Sequence, residues 1–201
     1  MKVDGKAYRS IWLNDDGWSV GIIDQTKLPH EFVTTTLKTA DDAAHAIRAM
    51  LVRGAPLIGA TAAYGLCLAL RSSNSMNSFD QASSLLRSTR PTAVNLVWAL
   101  DEMRRAVSSC AEEERVTAAY AKAAQICDDD VETCRMIGVH GLEIIRDIEA
   151  RKEDGGTVNI LTHCNAGWLA TVDWGTALSP IYQAHDDGIR VHVWVDETRP
   201  R

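Results

Sequence analysis

The sequence predicts an α/β protein in two parts, with a boundary between residues 1–154 and residues 155–201. Three observations predict this organisation. Turns and β-branched residues alternate over the first forty positions, apolar stripes of helical period fill the middle, and a strand–helix–strand pattern follows. The first part is then a small antiparallel sheet with a helical bundle, and the second is a βαβ unit with parallel strands.

The antiparallel sheet is predicted from three strand-like segments. Ala7–Leu13 and Gly17–Asp24 are joined by a turn at Asn14–Gly17, and the β-branched run in Glu31–Leu37 supplies a third strand. Asn, Asp and Gly are the residues that tight turns favour, so the first two segments are expected to pair as neighbours.

Helix signals begin at Thr39, a residue type that caps helix N-termini, with Asp41 and Asp42 in the first turn. Gly54 is expected to end this helix, and Pro56 suits the first turn of the next. Two further helices follow: one after a Ser72–Ser78 loop, reaching Arg87, and one from near Pro91 to Val107.

The stretch Glu112–Lys152 reads as two more helices, with a break either near Asp128–Asp130 or in the Gly138–Gly141 region. After a polar linker, Thr157–Leu161 is the first strand of the βαβ unit. Its helix is predicted over Trp168–Asp186 and its second strand over Arg190–Val195. Two parallel strands alone leave open edges, so we expect the domain begun at residue 157 to be incomplete in this sequence.

Composition excludes several classes of function. The 201 residues carry a net charge of −6 without a basic stripe, so nucleic acid is not an expected partner. No run approaches the ~18 apolar residues of a membrane span, and no metal-ligand spacing or phosphate-cradling glycine loop occurs. We therefore expect neither a membrane nor a cofactor or metal. Five scattered cysteines favour free thiols in the cytoplasm.

Cys164 is the candidate catalytic residue. It follows a predicted strand and precedes a predicted helix, the edge at which open α/β sheets bind ligands. A helix start would lower the pKa of a thiol placed there. The alternative is a small buried residue, the usual state of a free cysteine. His163 should point away from Cys164 if the strand alternates, which favours a structural role.

Two junctions between helices are candidate phosphate sites, because helix starts bind anions and arginine holds phosphate by two parallel hydrogen bonds. At Arg53–Gly54–Ala55–Pro56 one helix ends and another begins, and Arg90–Pro91–Thr92 repeats the arrangement. The alternative for Arg53 is a helix C-cap with a solvated side chain. Together the two junctions could hold one dianion.

These residues lie in long motifs that carry a resemblance. The motifs are DQTKLPHEF (24–32), RGAPLIGATAAYG (53–65), RPTAVNLVWAL (90–100), THCNAGWLAT (162–171) and VDETRPR (195–201). In this order the sequence resembles the 5-methylthioribose-1-phosphate isomerases of methionine salvage. That family is similar in fold to the regulatory subunits of a eukaryotic translation-initiation exchange factor and to ribose-1,5-bisphosphate isomerases.

The resemblance implies a Rossmann-like C-terminal domain, a homodimer and a sugar-phosphate substrate. In the implied reaction an aldose 1-phosphate becomes a ketose 1-phosphate. It also implies that Arg53, Gly54 and Ala55 contact the substrate, that Arg90 binds its phosphate and that Cys164 acts in catalysis. The family's second catalytic residue, an aspartate, and a substrate-binding glutamine follow the ETRPR segment and are not among these 201 residues.

Two other functions remain open. One is a non-catalytic regulatory module like the initiation-factor subunits, although Cys164 and the two arginine junctions argue against it. The other is a ribose-1,5-bisphosphate isomerase, which would need a second phosphate site. Whether Cys164 is an acid, a base or a wall of the pocket also stays open. We expect the 201-residue chain alone to bind sugar phosphates weakly and to turn over none.

Overall fold

The computed structural model of the protein describes residues 1–153 and 156–196. Strands and α-helices in this part of the chain are β1 (Lys2–Val3), β2 (Lys6–Ala7), β3 (Ile11–Leu13), β4 (Val20–Ile23), β5 (Thr34–Leu37), α1 (Ala40–Arg48), α2 (Ala55–Ser72), α3 (Met76–Thr89), α4 (Val94–Val107), α5 (Arg115–Ala150), β6 (Val158–Thr162), α6 (Ser179–Asp186) and β7 (Val191–Val195). The fold is therefore α/β, as the sequence predicts.

The N-terminal strands form an antiparallel sheet in the order β3–β4–β5, beside a separate β1–β2 hairpin. The turn predicted at Asn14–Gly17 is confirmed, since the Gly17 N–H donates to the Asn14 carbonyl at 2.9 Å. The single strand predicted over Ala7–Leu13 is wrong. It is interrupted before β3 because the Ser10 N–H donates to the carbonyl of Val172, far along the chain, at 2.8 Å.

Helix α1 begins as predicted but ends early. Thr39 caps it in a reciprocal arrangement with Asp42, whose carboxylate accepts from the Thr39 N–H at 2.9 Å. The helix ends at Arg48, six residues before Gly54, so Gly54 is not its C-terminal residue. Gly54 is instead the residue that precedes α2, with Pro56 at the second helical position.

A single helix of 36 residues, α5, occupies the region predicted as two helices. Neither proposed break occurs. In the second of the two regions, Gly138 and Gly141 lie inside the helix and allow close packing against it. A Cβ at Gly138 would lie 2.4 Å from Ser179 Oγ, and one at Gly141 would lie 2.4 Å from Pro180 Cγ. Ser179 and Pro180 are the first two residues of α6, so the two glycines allow α6 to pack closely against α5.

The C-terminal strands β6 and β7 pair in parallel, with Leu161 opposite Trp194, which confirms the parallel pairing. The helix between them is much shorter than predicted. Residues 163–178 form a long loop that contains a 3-10 turn at Trp168–Ala170, and α6 starts only at Ser179. The chain therefore reaches the helix fifteen residues after Cys164.

Two hydrophobic cores lie in the described residues. The larger joins the sheet, α1 to α4 and the first half of α5, and it includes Val172 from the long loop. The smaller joins the second half of α5 to β6 and α6 through Leu142, Ile145, Val158 and Ala184. Within the described ranges, the helices are all too short or too polar to cross a lipid bilayer.

Candidate active site

Gly54 at the start of α2 is in close contact with the long loop. Its φ of +89° lies in the region that favours glycine, and a Cβ there would lie 2.2 Å from the Ala170 carbonyl oxygen. No side chain caps this helix start, which leaves the N–H groups of Ala55 and Leu57 without a side-chain cap, while Pro56 between them has no N–H. Such a helix start favours an anion.

Arg53, directly before this glycine, is half-buried beside Gln25. Its Nη2 donates to the Gln25 carbonyl at 3.5 Å. The Gln25 side chain is buried and its Nε2 donates to the Leu169 carbonyl at 2.6 Å, one residue before Ala170. Gln25 thus bridges the segment before α2 and the long loop.

The loop segment 168–173 is also held by the sheet and by α5. Ser10 Oγ donates to the Trp168 carbonyl at 2.9 Å, and the Val172 N–H donates to Asp130 Oδ2 at 2.7 Å. Burial raises the pKa of Asp130, while this hydrogen bond opposes the shift. Three separate elements therefore fix the segment that lies over Gly54.

Cys164 does not lie at a helix start, so its predicted place at the mouth of a helix is wrong. It occupies the loop two residues after β6, is exposed, and has a φ of +69°. A non-glycine residue in this left-handed region carries strain, a feature that clusters at functional sites.

Burial raises the pKa of Cys127 to about 12 and that of Cys134 to about 11, which makes those thiols inert.

His163 pairs with Asp196 across the carboxyl ends of β6 and β7, with 3.1 Å between Nδ1 and Oδ2. The backbone supports this pair, because the Asp196 N–H donates to the Thr162 carbonyl at 3.1 Å. The contact ties the residue before Cys164 to the end of the neighbouring strand, in keeping with the structural role predicted for His163.

Arg90 directly follows the last residue of α3, and α4 begins at Val94, three residues later than predicted. The Arg90 carbonyl accepts from the Ala93 N–H at 3.0 Å, which closes the turn between the helices. Pro56 and Asn95, from the first turns of α2 and α4, line one cavity of about 420 Å³. Both arginine junctions therefore lie at the same end of the bundle.

The structure thus joins part of the predicted site directly. Arg53 and Gly54 adjoin the long loop 163–178, which contains Cys164. Ala55 is exposed as the first residue of α2. Arg90 lies at the matching end of the neighbouring helix pair. A common cleft for Arg53, Arg90 and Cys164 stays a prediction, since the 420 Å³ cavity has none of the three in its described lining.

Sequence reasoning missed Gln25 and Asp130 as parts of this arrangement. Gln25 lies in DQTKLPHEF, one of the motifs that carry the resemblance. Membership of that motif was the sequence feature that could have marked Gln25 as part of the site. Asp130 belongs to an acidic run that reads as a solvated helix start. Its partner is a backbone N–H 42 positions away, which no local pattern reveals.

Comparison with known proteins identifies the family. Residues 51–201 match the sequence model of the initiation factor 2 subunit family. This chain belongs to that family.

Several relatives of this chain are named as isomerases. The chain is 62% identical over 202 residues to the methylthioribose-1-phosphate isomerase of Acidiphilium cryptum, covering 100% of this chain and 54% of that protein. It is 56% identical over 201 residues to the isomerase of Escherichia coli, covering 100% and 54%. The chain thus spans about half the length of the curated relatives it matches, and the resemblance read from its motifs is confirmed.

Two solved structures have the same fold as this family member. The 5-methylthioribose 1-phosphate isomerase of Pyrococcus horikoshii matches with a TM-score of 0.84 and 39% identity, over 97% of this chain and 54% of that one. The translation initiation factor eIF-2B subunit delta of A. fulgidus matches with a TM-score of 0.81 and 37% identity, over 96% and 56%.

The close approach at Gly54 is testable by comparison with another glycine. Gly54→Ala should lower the free energy of unfolding by more than the ~1–3 kcal/mol of an unfavourable backbone conformation, because the new methyl also meets the Ala170 backbone. Gly17 is the matched control: its φ is +74°, but a Cβ there meets nothing within 4 Å. Urea denaturation of both variants measures the difference. Equal losses would show that the contact with Ala170 contributes nothing.

Asp130 should make stability fall as pH rises. The folded pKa is raised above the ordinary value of 3.8, so the folded state holds its proton after the unfolded state has released it. Relative to Asp130→Asn, the native chain should lose stability from near pH 3.8 up to the raised pKa and stay constant above it. Denaturant titrations across pH measure this.

The Asn side chain keeps an acceptor for the Val172 N–H, whereas Asp130→Leu removes it. The leucine variant should therefore be less stable than the asparagine variant throughout. A stability difference between native chain and Asp130→Asn that does not change with pH would contradict the assignment.

Proposed function

We propose that this chain is the N-terminal half of a methylthioribose-1-phosphate isomerase, which converts the aldose 1-phosphate to the ketose 1-phosphate. The observation that carries the proposal is the uncapped start of α2 at Gly54, with Arg53 beside it and the Cys164 loop packed against it. Identities of 56–62% to relatives with that name support the same substrate class.

The phosphate of such a substrate fits the start of α2. The N–H groups of the first turn and the Arg53 guanidinium offer hydrogen bonds and positive charge to a dianion. Gly54 has no side chain, so its backbone permits a ligand and the Ala170 carbonyl to approach from opposite sides. Arg90, at the same end of the bundle, supplies a second guanidinium.

The chemistry needs an acid–base pair. Because the phosphate is on the anomeric oxygen, the sugar cannot open to a free aldehyde. The site must open the phosphorylated ring and move hydrogen from C2 to C1. Cys164 supplies one member of the pair, because it is exposed whereas the two cysteines of α5, Cys127 and Cys134, are buried with raised pKa values. The second member is an aspartate by the resemblance, which in that family follows the ETRPR segment.

The remaining features of the proposal follow from the resemblance. The complete protein acts as a cytoplasmic homodimer, and its chain divides after residue 154 into a sheet-and-bundle domain and a Rossmann-like domain. The parallel pair β6–β7 and the loop at its carboxyl ends support that second domain.

A regulatory, non-catalytic module is the second candidate. The likeness to an initiation factor subunit, with a TM-score of 0.81, favours it. Such a module needs neither a thiol on the sheet edge nor two arginines at helix junctions. The two functions are therefore distinguished by substitutions at these residues.

The arginine assignment predicts a loss of affinity. In a protein made of this chain and the C-terminal part of the Acidiphilium cryptum relative, Arg53→Ala and Arg90→Ala should each weaken binding of methylthioribose 1-phosphate by about 1.5–3 kcal/mol, because each removes a charged hydrogen bond. Isothermal titration calorimetry measures the affinities. Arg87→Ala is the control, since Arg87 is exposed and pairs with Asp101. Unaltered binding in both variants would remove the phosphate assignment.

The thiol assignment predicts a loss of turnover. In the same joined protein, Cys164→Ser should lower kcat about 10²- to 10⁴-fold, the usual contribution of a general acid or base. Binding of the sugar phosphate should persist. The 201-residue chain alone should show no turnover, and adding the C-terminal part should restore it. Unchanged turnover in Cys164→Ser would remove the thiol assignment, and absence of turnover in the joined protein itself would favour the regulatory module. Full activity from the short chain would refute the need for a second half.

A further inference from the structure

A cavity of about 420 Å³ lies between α2, α4 and α5, next to the proposed phosphate site. Its lining includes Pro56, two residues after Gly54, and Ala60, one turn further along α2. An α-helix rises about 1.5 Å per residue, so the cavity extends over the first ~6 Å of α2 from the uncapped N–H groups. A ligand held by its phosphate at the helix start therefore has room for its far end along this groove.

The walls of this cavity are mixed, and their largest apolar member is unusually exposed. Trp98 on α4 has 48% of its surface accessible, although α4 buries Leu96, Ala99 and Leu100 around it. The buried Ile126 forms the apolar wall on α5. Asn95 and Thr133 provide polar groups that can hydrogen-bond to sugar hydroxyls. Two carboxylates, Asp129 and Asp130, also line the cavity, so the phosphate is expected to stay at the helix start and away from them.

The chemistry of the proposed substrate sets which end enters this groove. C1 and C2 react and lie next to the phosphate, so that end must stay near the loop that carries Cys164. The far end carries the substituent on C5, a methylthio group in the substrate that the relatives' names state. A thioether is apolar and polarisable, and it packs favourably against an aromatic ring. A hydroxyl in that place would gain no such contact.

We infer that the cavity between α2, α4 and α5 receives the 5-substituent of the sugar phosphate and that Trp98 determines specificity for a thioether there. The inference rests on the proposed function, because it takes the phosphate to lie at the start of α2. It adds a residue from α4 to the site and assigns the substrate's far end to a groove that neither Cys164 nor the arginines line.

Titrations of the 201-residue chain test this inference. Methylthioribose 1-phosphate, ribose 1-phosphate and inorganic phosphate are added separately, and dissociation constants are measured from the NMR signals of the backbone amides. The native chain should bind the methylthio sugar more tightly than ribose 1-phosphate. Trp98→Ala should weaken binding of the methylthio sugar about tenfold, or about 1.4 kcal/mol, and leave the other two ligands unchanged. Trp98→Phe should retain most of the preference.

Trp194→Ala is the matched control. Trp194 is a tryptophan with 58% of its surface exposed, on the sheet face of β7 and away from this cavity, so its removal should change none of the three affinities. The Trp194→Ala variant also shows whether the loss of an exposed indole by itself alters binding.

The outcomes separate this inference from the proposed function. If the native chain binds none of the three ligands, the phosphate site fails and the inference fails with it. If the sugar phosphates bind but Trp98→Ala keeps the preference for the thioether, only the inference is overturned. Equal weakening toward all three ligands would show that Trp98 supports the packing of the bundle, and this outcome also overturns the inference.

Discussion

The contact between the backbones of Gly54 and Ala170 is the constraint on which the rest of the site depends. The carbonyl of Ala170 occupies the space that a side chain at residue 54 would need. Only glycine permits that approach, and its positive φ turns the chain directly into α2. One position therefore sets both the start of the helix and the place of the loop that comes from the parallel strands.

Hydrogen bonds from distant segments keep the loop in this place. Ser10 just before β3, Gln25 before α1 and Asp130 on α5 each bond to backbone atoms of residues 168–173. A net contribution of about 0.5–1.5 kcal/mol per bond is modest, yet together they fix a segment that lacks regular secondary structure. Val172, fully buried, adds the loop to the larger hydrophobic core. The loop is thus part of the helical body although it follows β6.

The neighbouring half of the loop has a different character. Cys164 is exposed and strained, and the His163–Asp196 pair beside it is also exposed, with 74% and 53% of the side-chain surfaces accessible. An ion pair so exposed contributes little to stability. The energy that holds the loop therefore comes mainly from the anchored segment 168–173, while the residues nearest the thiol remain open to a ligand.

Local patterns allowed several elements to be predicted because a few adjacent residues decide them. Thr39 and Asp42 complete a cap within one turn, and Asn14–Gly17 closes a turn by one backbone bond. Pro56 likewise marked the start of α2, although the preceding helix ends at Arg48 and not at Gly54. In contrast, Gly138 and Gly141 read as helix breakers, because the helix that packs on them lies about 40 residues later in the chain.

The sequence by itself determined the family, the α/β class, the parallel pairing of β6 with β7 and the start of a helix at Pro56. These follow from motifs and short-range periodicity, which need no knowledge of distant neighbours. Only the tertiary structure decided that α5 is continuous and that the helix after Cys164 starts late. It also decided that Gln25 and Asp130 hold the loop beside Gly54 and that Trp98 lines the cavity between α2, α4 and α5. Each of those depends on contacts between segments remote in sequence, where close packing and backbone hydrogen bonds override local preference.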